Sequence, residues 1–69
     1  MKNRVRELRT KRALSQAEVA ATLGVSRQTV IAIETGRYSP SLPLAFRIAQ
    51  FFDSTVDEIF DASEEVRTR

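Results

Sequence analysis

Apolar residues recur along this chain at spacings of three and four, and no stretch alternates long enough to suggest a strand. The pattern breaks into five amphipathic runs separated by Gly, Ser, Thr or Pro, and so predicts five short helices. The first, capped by Asn3 and ending near Arg12, turns Val5 and Leu8 inward and Arg4, Lys11 and Arg12 outward. Arg9 falls on the inward side, where a guanidinium needs a partner because a buried unpaired charge is expensive. Ala13 and Leu14 form the link to the second run. Ser15 to Glu18 then spells S-x-x-E, a capping box, with Leu14 and Val19 placed as a hydrophobic staple. Gly24 closes this second helix in the left-handed conformation that a side chain disfavours. Ser26 caps the third, which runs to about Thr35 and stops at Gly36.

The second and third runs are only about two turns each, and helices that short are marginal alone in water. Val19, Ala20 and Leu23 must therefore pack against Val30 and Ile33, with Val25 in the joint. Two short helices joined by a tight glycine turn make a helix-turn-helix, whose second helix enters the DNA major groove. Ser41 caps a fourth helix with Pro43 in its first turn, where a missing amide hydrogen costs nothing. Leu42, Leu44, Ala45, Ile48, Ala49 and Phe52 can face the core from it, while Phe46 and Phe51 stray from that stripe. Thr55 to Glu58 is a second box, starting a short fifth helix with Val56, Ile59 and Phe60 as its apolar residues. The pattern thus predicts one all-α domain over residues 1–61 and a frayed polar tail over 62–69.

Charge sharpens this division. Up to Ser41 there are eight Lys or Arg against three acids; from Leu42 onward three Arg face six acids. The basic part holds the helix-turn-helix, the polarity that a polyanion binder needs. With no Cys and no His, disulfides, thiolate metal sites and the common zinc geometries are excluded, and neither metal nor cofactor is expected. The same absence, with no glycine-rich phosphate loop, argues against catalysis; Asp57, Glu58 and Asp61 read as one acidic solvated end. No apolar run approaches a membrane span and Met1 leads into a charged segment, so a cytoplasmic protein is expected. A chain of 69 residues buries only about 60% of its unfolded surface, so a second copy would add needed contacts.

On the third helix a turn of 100° per residue sends Arg27, Gln28, Ile31 and Ala32 outward. Gln28 carries the donor and acceptor pair that matches the N6 and N7 edge of adenine, and Arg27 can fork onto guanine or take a phosphate. Ile31 and Ala32 can touch only thymine methyls or sugar. Phosphate contacts should flank this helix. The first turn of the second helix, with free amides and the Gln16 side chain, can hold one, and Arg37, Tyr38 and Ser39 can clamp the other side. Lys11 and Arg12 are weaker candidates.

The segment LSQAEVAATLGVSRQTVIAIETGRYSPSL resembles the Cro and phage-repressor type helix-turn-helix, the Xre-like family, in its short single-domain form. The resemblance runs from about Asn3 to Phe60. The small residue of helix two is Ala20, the turn glycine Gly24, and the apolar positions Val19, Leu23, Val25, Val30 and Ile33. It implies a five-helix lambda-repressor-like domain that contacts bases through Ser26, Arg27, Gln28 and Ala32, and phosphates through Gln16 and the loop around Arg37. It also implies an ion pair between Arg9 and Glu34, joining helix one to the end of helix three. Ile31 stands where relatives often carry a polar residue.

The resemblance further implies a homodimer on a near-palindromic site in double-stranded DNA, with reading helices about 34 Å apart. Phe51, Ile59 and Phe60, with Phe46 or Val66 at the edge, are the expected dimer interface. A sequence-specific transcriptional regulator acting as a repressor is the expected function. The alternatives are an antitoxin of the same fold, with a toxin or anti-repressor as protein partner, and a protein-binding adaptor that uses the fold as a scaffold.

Overall fold

A computed structural model describes residues 1–61, and the tail expected over 62–69 lies outside the described residues. Five helices follow in order: α1 (Val5–Lys11), α2 (Gln16–Leu23), α3 (Arg27–Glu34), α4 (Leu42–Phe51) and α5 (Val56–Ile59). Two strands of two residues bracket them, β1 (Lys2–Asn3) and β2 (Phe60–Asp61), paired antiparallel with Lys2 opposite Asp61 and Asn3 opposite Phe60. The expectation of no strand is corrected here: two residues per strand are too few to show an alternation.

Local chemistry sets most of the boundaries. At α2 both arms of the capping box form: the Glu18 amide donates to Ser15 Oγ at 3.0 Å and the Ser15 amide to Glu18 Oε1 at 2.7 Å. Ser26 and Ser41 each accept from the amide three residues on, at 3.1 and 3.3 Å. Gly24 sits at φ 74°, and a Cβ there would meet only the Arg47 guanidinium at 3.8 Å, so backbone conformation and not crowding asks for glycine. At α5 Thr55 accepts from the Glu58 amide at 3.2 Å, while the Glu58 carboxylate takes the Ser54 hydroxyl at 2.8 Å.

The start of α1 differs from expectation. Arg4 occupies the N-cap and makes no side-chain cap bond, because Asn3 is held in β1. Asn3 acts instead as a stitch: its Oδ1 accepts from the Val5 amide at 3.0 Å, and its Nδ2 donates to the Ile33 carbonyl at 2.7 Å. One polar side chain therefore ties the beginning of α1 to the end of α3.

The core runs through every helix: Val5, then Val19, Ala20 and Leu23, then Val30 and Ile33, then Ile48 with its α4 neighbours and Phe52, and finally Ile59 and Phe60. Ala20 is buried with only a methyl to accommodate, which lets α3 lie close across α2. Two arginines clasp helix ends from outside. Arg47 donates to the Leu23 carbonyl at the end of α2. Arg12 donates to the Phe51 carbonyl at 2.9 Å and lies 5.5 Å from the centre of the Phe52 ring. Leu42, placed with the core stripe by its spacing, is exposed, because it opens α4 beyond the reach of the other helices.

Candidate nucleic-acid interface

The orientation of α3 follows from its two faces. Val30 and Ile33, both 1% exposed, anchor one side, and this forces the residues between them to the other. Arg27 and Gln28 are exposed in the first turn, and among the described residues neither side chain has a hydrogen-bond or ion-pair partner. Ile31 and Ala32 follow one turn later, half-buried. Gln28, Ile31, Ala32, Thr35 and Arg37 together line an open concavity of about 550 Å³. Ser26 stands at the entrance to α3, but its hydroxyl is engaged as the cap and lies 2.9 Å from the Thr29 hydroxyl.

The loop after α3 is tied to the same helix. The Arg37 and Tyr38 amides both donate to the Ala32 carbonyl, at 3.0 and 3.2 Å, and Gly36 takes φ 82° to make that turn. Among the described residues the side chains of Arg37, Tyr38 and Ser39 are exposed and free of partners.

A second concavity, of about 460 Å³, opens on the other side of α3 and is lined by Arg6, Arg9, Ser15, Gln16, Ala17, Arg27, Glu34 and Thr35. Its floor is an ion pair. Arg9 Nε donates to Glu34 Oε2 at 2.6 Å and Nη2 to Oε1 at 3.3 Å, while Nη1 donates to the Leu14 carbonyl at 2.9 Å. The Glu34 side chain keeps 3% of its surface and Arg9 keeps 13%, so the pair is largely desolvated although the Glu34 residue as a whole is half-buried. Gln16 Nε2 completes the set by donating to Glu34 Oε1 at 3.1 Å. The Gln16 side chain is thus committed to holding α2 against α3. What it leaves toward the concavity is the amide end of α2, whose first donors have no intrahelical acceptor.

Arg6 is the residue that reading the sequence overlooked. On a wheel it is one more cation on a solvated helix face; only the packing of α1 against α3 brings it to the rim shared with Arg27. Two weaker candidates are used elsewhere. Arg12 clasps α4, and Lys11 lies 3.8 Å from Glu7.

Of the residues expected at a dimer interface, Ile59 and Phe60 are internal, and Val66 lies outside the described residues. Ile59, 1% exposed, and Phe60, 8%, belong to the core of a single chain, and Phe51 is half-buried edge-on against Phe52 with ring centres 4.8 Å apart. In so small a domain these aromatic and branched side chains are needed to close the core over α4, which leaves Ile59 and Phe60 little area to offer a partner.

A helix-turn-helix whose second helix turns unpaired Arg and Gln outward, flanked by cations and helix amides, is the working part of a DNA-binding regulator. A family model described as helix-turn-helix matches residues 5–59, and the chain belongs to this Cro/C1-type, Xre-like family. It is 53% identical over 60 residues to an uncharacterized HTH-type transcriptional regulator of Methanocaldococcus jannaschii, covering 87% of this chain and 91% of that one. It is 48% identical over 65 residues to the uncharacterized HTH-type transcriptional regulator YgzD of Bacillus subtilis, covering 94% and 98%. The cryptic phage CTXphi transcriptional repressor RstR of Vibrio cholerae is 37% identical over 62 residues, covering 90% of this chain and 56% of RstR. This is a family of transcription regulators, not normally of enzymes. Among the described residues no helix is long and apolar enough to cross a membrane.

Proposed function

We propose that the chain is a sequence-specific transcriptional repressor, binding a near-palindromic operator as a homodimer with α3 in the major groove. The observation that carries this reading is the pair Arg27 and Gln28, exposed and unpaired at the start of a helix whose opposite face is locked into the core. Gln28 has the donor and acceptor geometry for adenine, Arg27 for guanine or a phosphate, and Ile31 and Ala32 the apolar surface for thymine methyls. Ser26, its hydroxyl spent on the cap, contributes through its position more than through a free donor.

Phosphates are held on both sides of α3. On one, the amide end of α2 at Gln16 and Ala17 acts with Arg6; on the other, Arg37, Tyr38 and Ser39 act from the loop. Occupying the operator would exclude polymerase, and no ligand domain is required for that mode of repression. The likeness to a phage repressor supports the direction of control.

A gel shift on fragments of the gene's upstream DNA, with a random duplex as competitor, tests the reading. Retention on one fragment against excess competitor is expected, with log affinity falling by about 0.9 per phosphate contact for each tenfold rise in salt. Equal binding to both DNAs, or no binding at low salt, rules the reading out.

A further inference from the structure

Leu42 and Phe46 stand one turn apart on α4, share a face, and keep 62% and 55% of their surface exposed in a single chain. Tyr38, 45% exposed, lies four residues before Leu42 in the loop that leaves α3. These three are the exposed large apolar side chains among the described residues, and they fall in one short stretch of sequence. Scattered exposed apolar residues need no explanation, but Leu42 and Phe46, stacked one turn apart on a single helix face, form an apolar strip that marks an interaction surface.

We infer that this face of α4 is the contact through which two copies of the chain pair on DNA. The inference rests on the reading of α3 as the helix that enters the groove. Three observations select a second copy as the occupant. A twofold contact sets a patch against itself, so a charge near its centre would meet its like. From Tyr38 to Gln50 the only charged side chain is Arg47, which is drawn away onto the Leu23 carbonyl, although 29% of the chain is charged. The patch is therefore self-compatible where most of the surface is not.

Continuity with the reading surface is the second. Because the Arg37 and Tyr38 amides are both bonded to the Ala32 carbonyl, the chain passes from the outward face of α3 to Leu42 through an anchored loop. A twofold axis beside Leu42 and Phe46 thus lies a short, partly anchored loop away from α3 and would set the spacing of two α3 helices. The third is area. Leu42 and Phe46 alone fall well short of the ~800 Å² per partner of a stable interface, so the contact is weak in solution and takes effect when DNA brings two copies together.

The experiment uses the full chain and two duplexes, one with a pair of inverted half-sites and one with a single half-site. Wild type is expected to fill the paired duplex in one step, with little singly bound complex. Phe46→Glu and, separately, Leu42→Glu place like charges across the axis. In each, singly bound complex should accumulate and the second binding weaken about tenfold or more, while affinity for the single half-site stays within about twofold. A variant that still fills the pair in one step overturns the inference, and so does one that loses single-half-site binding equally. Sedimentation equilibrium without DNA supplies an independent readout. Wild type should self-associate weakly toward about millimolar concentration and Phe46→Glu should stay monomeric; a wild type that stays monomeric overturns the contact. Should wild type bind no DNA selectively, the regulator reading fails while the sedimentation contrast still decides the pairing surface.

Discussion

The two faces of α3 are built under opposite constraints. Its inward face, Val30 and Ile33 with Glu34 at the end, is buried or paired almost completely, and each side chain has neighbours that dictate its size or charge. Its outward face, Arg27 and Gln28 exposed with Ile31 and Ala32 half-buried, makes no side-chain hydrogen bond or ion pair among the described residues. The inward face fixes where the helix lies, and the outward face is free to carry sequence information. Function and stability should therefore separate by face.

The largest effect is expected on the inward side. Glu34→Ala removes the acceptor of both Arg9 and Gln16 and leaves a desolvated guanidinium, at a cost of about 3 to 5 kcal/mol in urea unfolding. Under conditions where the variant is folded, its ranking of DNA sequences should match wild type; a changed ranking would break the separation. Gln28→Ala should do the reverse. Selectivity at one base pair should fall by about 1 to 3 kcal/mol, with an unchanged unfolding midpoint, as read by competition binding with single-base operator variants.

Arg37→Ala sharpens the contrast from a third position. A phosphate contact carries no base preference, so affinity should drop alike for all duplexes and the salt slope should shrink by about one unit. The smallest effect concerns acid. Arg4 holds the Glu7 carboxyl below its ordinary pKa through a hydrogen bond and its charge, and the Ser54 hydroxyl, then the Thr55 amide, do so for Glu58. A carboxyl lowered in the folded state lends stability above the unfolded value, near 4.3 for Glu, and loses it as pH falls through the folded value. Both groups are exposed, so Glu7→Gln and Glu58→Gln should only flatten the acid limb of Tm against pH slightly.

Much of this arrangement could be read from the sequence because it is governed by neighbours in the chain. Ser15 with Glu18, Ser26 and Ser41 start helices through bonds three residues long, and Gly24 ends one through its own backbone. What needed the fold are contacts between segments distant in sequence. Asn3, which looks like a simple cap, reaches thirty residues on to the Ile33 carbonyl. Arg6 joins the candidate interface only when α1 packs against α3. Ile59 and Phe60 look like surplus apolar residues until β1 pairs with β2 and closes the core over them. Leu42 errs in the other direction, since a helical wheel cannot show that the first turn of α4 overhangs its neighbours.

In the proposed function the outward face of α3 reads DNA as one half of a symmetric pair. Selection of bound duplexes from a random pool by the purified chain tests this most directly. The predicted result is an enriched pair of inverted half-sites with centres about 10 base pairs apart. Recovery of an unenriched pool, or of a consensus without inverted symmetry, would contradict it.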